Sequence, residues 1–246
     1  MLENKTLLIT GNSEQACVLD FVAKESTVLA PINTFPEDIS FATGGVIQGI
    51  PFIIGGETQR GSWKIHNTCR KLTSEGWHTF AQLKTARSAA ASVVLQDNQI
   101  WVTGGDYQTK TLKSTEIINM KTNGSKEGPD LPTEIKGHAM AKVDENYIYI
   151  IGGSSYKNYT QFYTKNCWIY DQHSFEFTSG PEMNDARSVF GWGIFSSSLH
   201  NGRQCLLVAG GRGTGGRLSS VEILDFTQPN ATWTRSNGLS IYSLFI

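Results

Sequence analysis

The feature that most constrains this chain is a short apolar run closed by glycine that recurs five times. The runs are Leu7-Leu8-Ile9-Thr10-Gly11-Asn12, Phe52-Ile53-Ile54-Gly55-Gly56, Ile100-Trp101-Val102-Thr103-Gly104-Gly105, Ile148-Tyr149-Ile150-Ile151-Gly152-Gly153 and Leu206-Leu207-Val208-Ala209-Gly210-Gly211. Their first glycines, at 11, 55, 104, 152 and 210, set steps of 44, 49, 48 and 58 residues. Such a step is too long for one hairpin and suits a four-stranded antiparallel sheet with its loops. Residues rich in β-branched and aromatic side chains, bounded by glycine, read as strands.

Each repeat has further parts in common. A strand follows the diglycine and a polar loop, as in Thr115-Glu116-Ile117-Ile118-Asn119, Cys167-Trp168-Ile169-Tyr170-Asp171 and Val221-Glu222-Ile223-Leu224-Asp225. A third strand carries an aromatic residue, Trp77, Phe177 or Trp233. A loop then leads to a strand of small residues, as in Arg87 to Leu95, and Asp97-Asn98 turns it into the next apolar run. In repeat order the strands are a, b, c and d, with the diglycine closing strand b. A fully apolar strand b must be buried on both faces, as when sheets stack face to face. Strand a, with residues as small as Ala89 to Ala91, suits the narrow axis of a radial array, which also leaves few exposed edges. No segment has convincing helical spacing; Arg60 to Leu72, the nearest candidate, is too polar.

These residues resemble the kelch repeat family. The diglycines at 55, 104, 152 and 210, with Gly11-Asn12 as a degenerate fifth, carry the likeness. So do Trp77 and Trp233 in strand d, and Arg87 and Arg187 leading into strand a. The resemblance spans about Leu7 to Trp233 and implies an all-β fold: a kelch β-propeller of about five four-stranded blades forming a single domain over residues 1–246. Because such propellers most often have six blades, a truncated six-bladed parent is the alternative. No BTB domain is read in these residues. The chain lacks the strand a of its first repeat, and the apolar tail Leu239 to Ile246 is the expected substitute, closing the ring.

Function classes are narrowed by what the sequence lacks. Its 21 basic and 22 acidic residues give a net charge of −1 and no basic block, so nucleic acid is not the expected partner. Residues Ile39 to Gly56 are uncharged, but five glycines, Gln48 and Pro51 make a membrane span a poor reading. Cys17, Cys69, Cys167 and Cys205 fit no zinc spacing and read as free thiols, and the five histidines are isolated. We therefore expect no metal, no cofactor and no catalytic residue, although an enzyme acting on a sugar or other small molecule on the same fold is the alternative. The start of the chain has no signal-peptide apolar region, and the Asn-x-Ser/Thr sites at Asn4, Asn123, Asn158 and Asn230 are near the number chance gives. A cytoplasmic monomer is expected, secretion being the alternative. The Gly213-Thr214-Gly215-Gly216 run lacks the Lys-Ser/Thr of a phosphate loop and is expected to form the last b–c loop.

The b–c and d–a loops lie at one end of every blade. They carry Arg60, Trp63, Tyr107, Tyr156, Tyr159 and Arg212, with Arg87, Arg187 and His138 at the approaches to strand a. Arginine and aromatic side chains on one rim suit a protein-binding surface, and clustered guanidinium groups suit a partner segment bearing carboxylates. For Arg87 and Arg187 an anchoring role on neighbouring loop carbonyls is the competing assignment.

Overall fold

In a computed structural model, residues 5–9, 16–20, 25–28, 39–58, 63–197 and 200–236 are described. The chain divides into two compact units, Met1–Asp130 and Leu131–Ile246. Among the described residues there is no α-helix, and the fold is all-β and of the propeller class.

The N-terminal unit opens with a three-stranded sheet, β1 (Lys5–Ile9), β2 (Ala16–Asp20) and β3 (Glu25–Val28), paired in that order. The second repeat forms a blade from β4 (Thr43–Ile47), β5 (Ile50–Ile54), β8 (Thr68–Thr73) and β9 (Gly76–Gln82), with a ribbon of β6 (Glu57–Thr58) and β7 (Lys64–Ile65) between its middle strands. The third repeat forms a blade from β10 (Ala91–Val94), β11 (Gln99–Thr103), β14 (Thr115–Asn119) and β15 (Gly124–Glu127), with the ribbon β12 (Asp106–Tyr107) and β13 (Lys110–Thr111).

In the C-terminal unit the fourth repeat supplies β16 (Ala139–Lys142), β17 (Tyr147–Ile151), β20 (Cys167–Asp171) and β21 (Glu176–Ser179), with the ribbon β18 (Ser154–Lys157) and β19 (Thr160–Tyr163). The fifth supplies β22 (Gly191–Ser197), β23 (Arg203–Ala209), β26 (Val221–Leu224) and β27 (Thr234–Arg235), with the ribbon β24 (Arg212–Gly213) and β25 (Gly216–Arg217). All pairings are antiparallel and follow the order a, b, c, d. We number the four-stranded blades 2 to 5 after their repeats. Four blades have four strands, against the five expected, because the described part of the first repeat supplies only strands b, c and d. The tail assigned to its strand a, with the ring closure it implies, lies outside the described residues.

The apolar strand b is buried on both faces, as its sequence requires: Ile148, Tyr149, Ile150 and Ile151 are all buried. In the N-terminal unit Phe52 and Ile54 of β5 pack against Ile100 and Val102 of β11, with Cys69, Leu83 and Ile118 around them. In the C-terminal unit Tyr149 and Ile151 of β17 meet Leu206 and Val208 of β23, joined by Cys167, Met183, Leu224 and Trp233. Each such side chain removed from water contributes about 1.5–3 kcal/mol, so face-to-face stacking holds together the two four-stranded blades of each unit. The Trp233 indole N–H is also satisfied, donating to Pro181 O at 2.9 Å.

Two local expectations need correction. Strand a of blade 3 starts at Ala91 rather than Arg87, because Ala89 adopts a left-handed φ of 51° that breaks the extended run. The b–c connections are paired ribbons rather than open loops, the Gly213–Gly216 stretch included, and their bases are hydrogen-bonded to the residue just before the left-handed break. Ser88 pairs with Asp106, Lys136 with Ser154 and Ser188 with Arg212.

Candidate functional site

The diglycines set where the ribbons point. All eight of their residues have positive φ, and two positions show why glycine is required. At Gly55, φ is 66° and an added Cβ would stand 2.3 Å from Arg87 O. At Gly211, φ is 90° and a Cβ would lie 2.8 Å from Ser188 O. Left-handed backbone costs a residue with a Cβ about 1–2 kcal/mol before any clash. The chain leaves strand b on a sharp turn, and the ribbon rises beside the segment that feeds strand a.

Arg87 and Arg187 occupy that feeding segment and point inward. Arg87 is 1% exposed; its Nη1 donates to Gly104 O at 2.8 Å and Ser114 O at 2.9 Å, and its Nη2 to Glu116 Oε1 at 2.9 Å. Arg187 repeats the arrangement on Gly210 O, Ser220 O and Glu222 Oε1, at 2.8, 3.2 and 2.7 Å. The backbone of each arginine bonds the preceding blade, Gly56 N donating to Arg87 O and Gly153 N to Arg187 O. Each arginine therefore ties consecutive blades of its unit together. Burial draws the Arg87 guanidinium below its ordinary pKa, and the Glu116 carboxylate pulls the other way. In blades 2 and 4 the residues in the same place are Ile39 and Ile135, and the strand-c partners are Arg70 and Trp168. The pair thus alternates along the chain.

The two glutamates escaped the sequence reading. Both are buried, and both accept more than an arginine: Glu116 takes Lys84 N, Thr85 N and Ser125 Oγ, while Glu222 takes Asn184 N, Asn184 Nδ2 and Asp185 N. A carboxylate inside an otherwise apolar strand c, in Thr115-Glu116-Ile117 and Val221-Glu222-Ile223, is the signal that could have found them.

His138 is also buried, and burial depresses its pKa to about 3. It stands just before β16 and does not face solvent. Cys69, Cys167 and Cys205 are free and buried, and burial pushes the Cys69 and Cys167 thiols up to about 12. Among the described residues no group of three or more His, Cys, Asp or Glu could hold a metal ion, and no helix is long and apolar enough to cross a membrane.

The remaining expected residues stand on the ribbons, apart from Arg60, which lies outside the described residues. Trp63, beside β7, and Tyr107, on β12, are exposed on consecutive blades of the N-terminal unit. In the C-terminal unit Tyr156, Tyr159 and Arg212 are exposed on two ribbons joined at their bases, where Ser154 Oγ and Ser188 Oγ are 3.2 Å apart. Tyr159 is 100% exposed at the ribbon tip, in a left-handed φ of 60°. Lys136 Nζ lies 4.1 Å from the Tyr156 ring centroid, a cation–π contact that restrains the ring. The structure adds Phe162, Lys157 and Arg217, all exposed, in stretches whose sequence shows no strand pattern. Neither ribbon of this unit contains an acidic residue.

Two curated proteins match part of the chain. Kelch-like protein 33 of Homo sapiens is 33% identical over 81 residues, which are 33% of this chain and 15% of that protein. Kelch repeat and BTB domain-containing protein 2 of cowpox virus (strain Brighton Red) is 34% identical over 76 residues, 30% of this chain and 14% of that protein. The matched stretch thus spans about a seventh of either relative. No protein-family model matches the chain.

Proposed function

We propose that this chain, which belongs to the kelch-repeat family, is a protein-binding module that catalyses nothing and uses its ribbon rim as the contact surface. The observation that carries the reading is the C-terminal unit's rim: exposed Tyr156, Tyr159 and Phe162 beside Lys157, Arg212 and Arg217, with no acid among them. Aromatic and arginine side chains held on rigid paired backbone supply hot-spot contacts with little ordering cost. A single exposed apolar residue means little, but this ribbon exposes three aromatics, Tyr156 and Phe162 on its opposite faces and Tyr159 at its tip, for a partner to cover. The cations beside it favour a partner segment of negative charge, and Trp63 and Tyr107 extend the same design to the N-terminal unit. The reading takes the chain as a cytoplasmic monomer with a protein partner, not a nucleic acid or membrane. Arg87, Arg187 and His138, all buried, are in this reading structural and not contact residues.

The test is affinity capture with the wild-type chain and with the Y156A/F162A/R212A variant, both checked for unchanged melting. Proteins held by the wild type should be lost from the variant, with a drop of about 2 kcal/mol or more for a direct partner. Identical captured sets would refute the rim as the contact surface.

A further inference from the structure

The ribbon of blade 5 carries an arrangement that costs the free protein stability. Arg212 and Arg217 are directly opposed across β24 and β25, so their side chains leave the same face of the ribbon. Opposed Cβ atoms are about 5 Å apart, and like charges in that position repel. Both residues are exposed, and among the described residues neither guanidinium has an ion pair or side-chain hydrogen bond. The corresponding first ribbon residues of blades 2, 3 and 4 are Glu57, Asp106 and Ser154, opposed by Ile65, Thr111 and Tyr163. Only blade 5 among these four sets two cations against each other.

The tip between them is built for close approach. Gly215 and Gly216 have nothing within 4 Å of where a Cβ would stand, so their backbone is open to a ligand. The base is fixed, because Arg212 N and O exchange bonds of 2.8 and 2.9 Å with Ser188. A single carboxylate carries one charge and engages one guanidinium fork. Two guanidiniums leaving one face of the ribbon from opposed positions match a dianion with three acceptor oxygens, which is the chemistry of a phosphate monoester. The neighbouring ribbon exposes Tyr159 at its tip and Tyr156 and Phe162 on its two faces, giving aromatic contact for the flanking residues of a peptide. A nucleic acid strand would instead need cations tracking successive phosphates, and the chain's net charge is −1.

We propose that Arg212 and Arg217 clamp a phosphorylated side chain of the protein partner, an assignment that rests on the rim being the contact surface. Binding is then switched on by phosphorylation of the partner.

The probe is a heptapeptide with phosphoserine between two phenylalanines, compared with its unphosphorylated and glutamate forms on the intact chain. Affinity is read by fluorescence anisotropy and the arginine Nε–Hε signals by NMR. The phosphopeptide should bind about tenfold or more tighter than the glutamate peptide and shift the Nε–Hε signals of both arginines. R212Q and R217Q should each erase that advantage. Equal affinity for the two peptides, or an advantage that survives both substitutions, overturns the clamp. Inorganic phosphate binding as tightly as the phosphopeptide, or a single-stranded oligothymidylate binding more tightly, overturns the assignment to a protein partner. The Y156A/F162A variant separates the two readings. If it leaves peptide affinity unchanged while the phosphate advantage persists, the rim surface fails and the anion clamp stands. If it weakens every peptide while no phosphate advantage exists, the clamp alone fails.

Discussion

Replacing Arg187 by alanine tests the central claim that the arginine is a tie between blades. The side chain is 0% exposed, and so is its partner Glu222. Alanine removes bonds of 2.8 Å to Gly210 O, 3.2 Å to Ser220 O, 3.0 Å to Ser220 Oγ and 2.7 Å to Glu222 Oε1. Breaking a buried ion pair by deleting one partner costs about 3–5 kcal/mol, because the surviving charge keeps its desolvation cost. Glu222 retains three N–H donors, from Asn184 N, Asn184 Nδ2 and Asp185 N. That cushions the loss and places the expected value at the lower end, about 3 kcal/mol. Domain stabilities are about 5–15 kcal/mol, so the change is large. In urea unfolding followed by tryptophan fluorescence, the midpoint should fall by roughly 1–2 M. R212A, on the exposed ribbon, is the control and should stay within about 0.5 kcal/mol. A double-mutant cycle with E222A should show coupling of about 0.5–3 kcal/mol. A midpoint for R187A no lower than that of R212A, or a cycle with no coupling, would refute the tie and return Arg187 to the binding surface.

His138 makes stability depend on pH. Its folded pKa of about 3 lies below the ordinary 6.5, so unfolding takes up a proton between those values. The contribution is present above pH 6.5 and is lost as pH falls, at about 1.4 kcal/mol per pH unit. H138Q should reduce the slope of stability against pH in that window by one proton, and an unchanged slope would exclude the assignment. At the diglycine turn, G55A should destabilise by more than about 1 kcal/mol, since the new Cβ meets Arg87 O. G215A, which meets nothing, should be close to neutral in the same melts.

The propeller class and the strand order within each blade were legible in the sequence, because both rest on local signals. An apolar run with glycine at its end can only be a doubly buried strand leaving through a left-handed turn, and Asp97-Asn98 supplies its hairpin in the expected place, with φ of 54° and 60°. The ribbons were not legible: each strand has only two to four residues, too few for an alternating pattern to show. Arg87 and Arg187 could be placed in the chain but not oriented. Their carboxylate partners stand 29 and 35 residues away, and although a lone acid in an apolar strand c marks each glutamate as unusual, nothing local pairs it with its arginine. The opposed pair Arg212 and Arg217 was half seen, because only the register across the Gly-rich tip reveals that Arg217 shares its face.

The alternation of the arginine ties bears on the ancestry of the chain. Blades 3 and 5 share Arg-Ser before strand a and Ser-x-Glu-Ile in strand c, at Arg87-Ser88 with Ser114 to Ile117 and at Arg187-Ser188 with Ser220 to Ile223. Blades 2 and 4 share isoleucine in the arginine's place, Ile39 and Ile135, and a buried cysteine on strand c, Cys69 and Cys167, opposite Ile54 and Ile151. A lineage that copied one blade at a time would make neighbours most alike. Here the resemblance skips a neighbour, as it does when a two-blade segment is duplicated whole. The repeating pattern is then a pair of blades, one with the arginine and its glutamate and one without, and each of the two compact units contains one such pair.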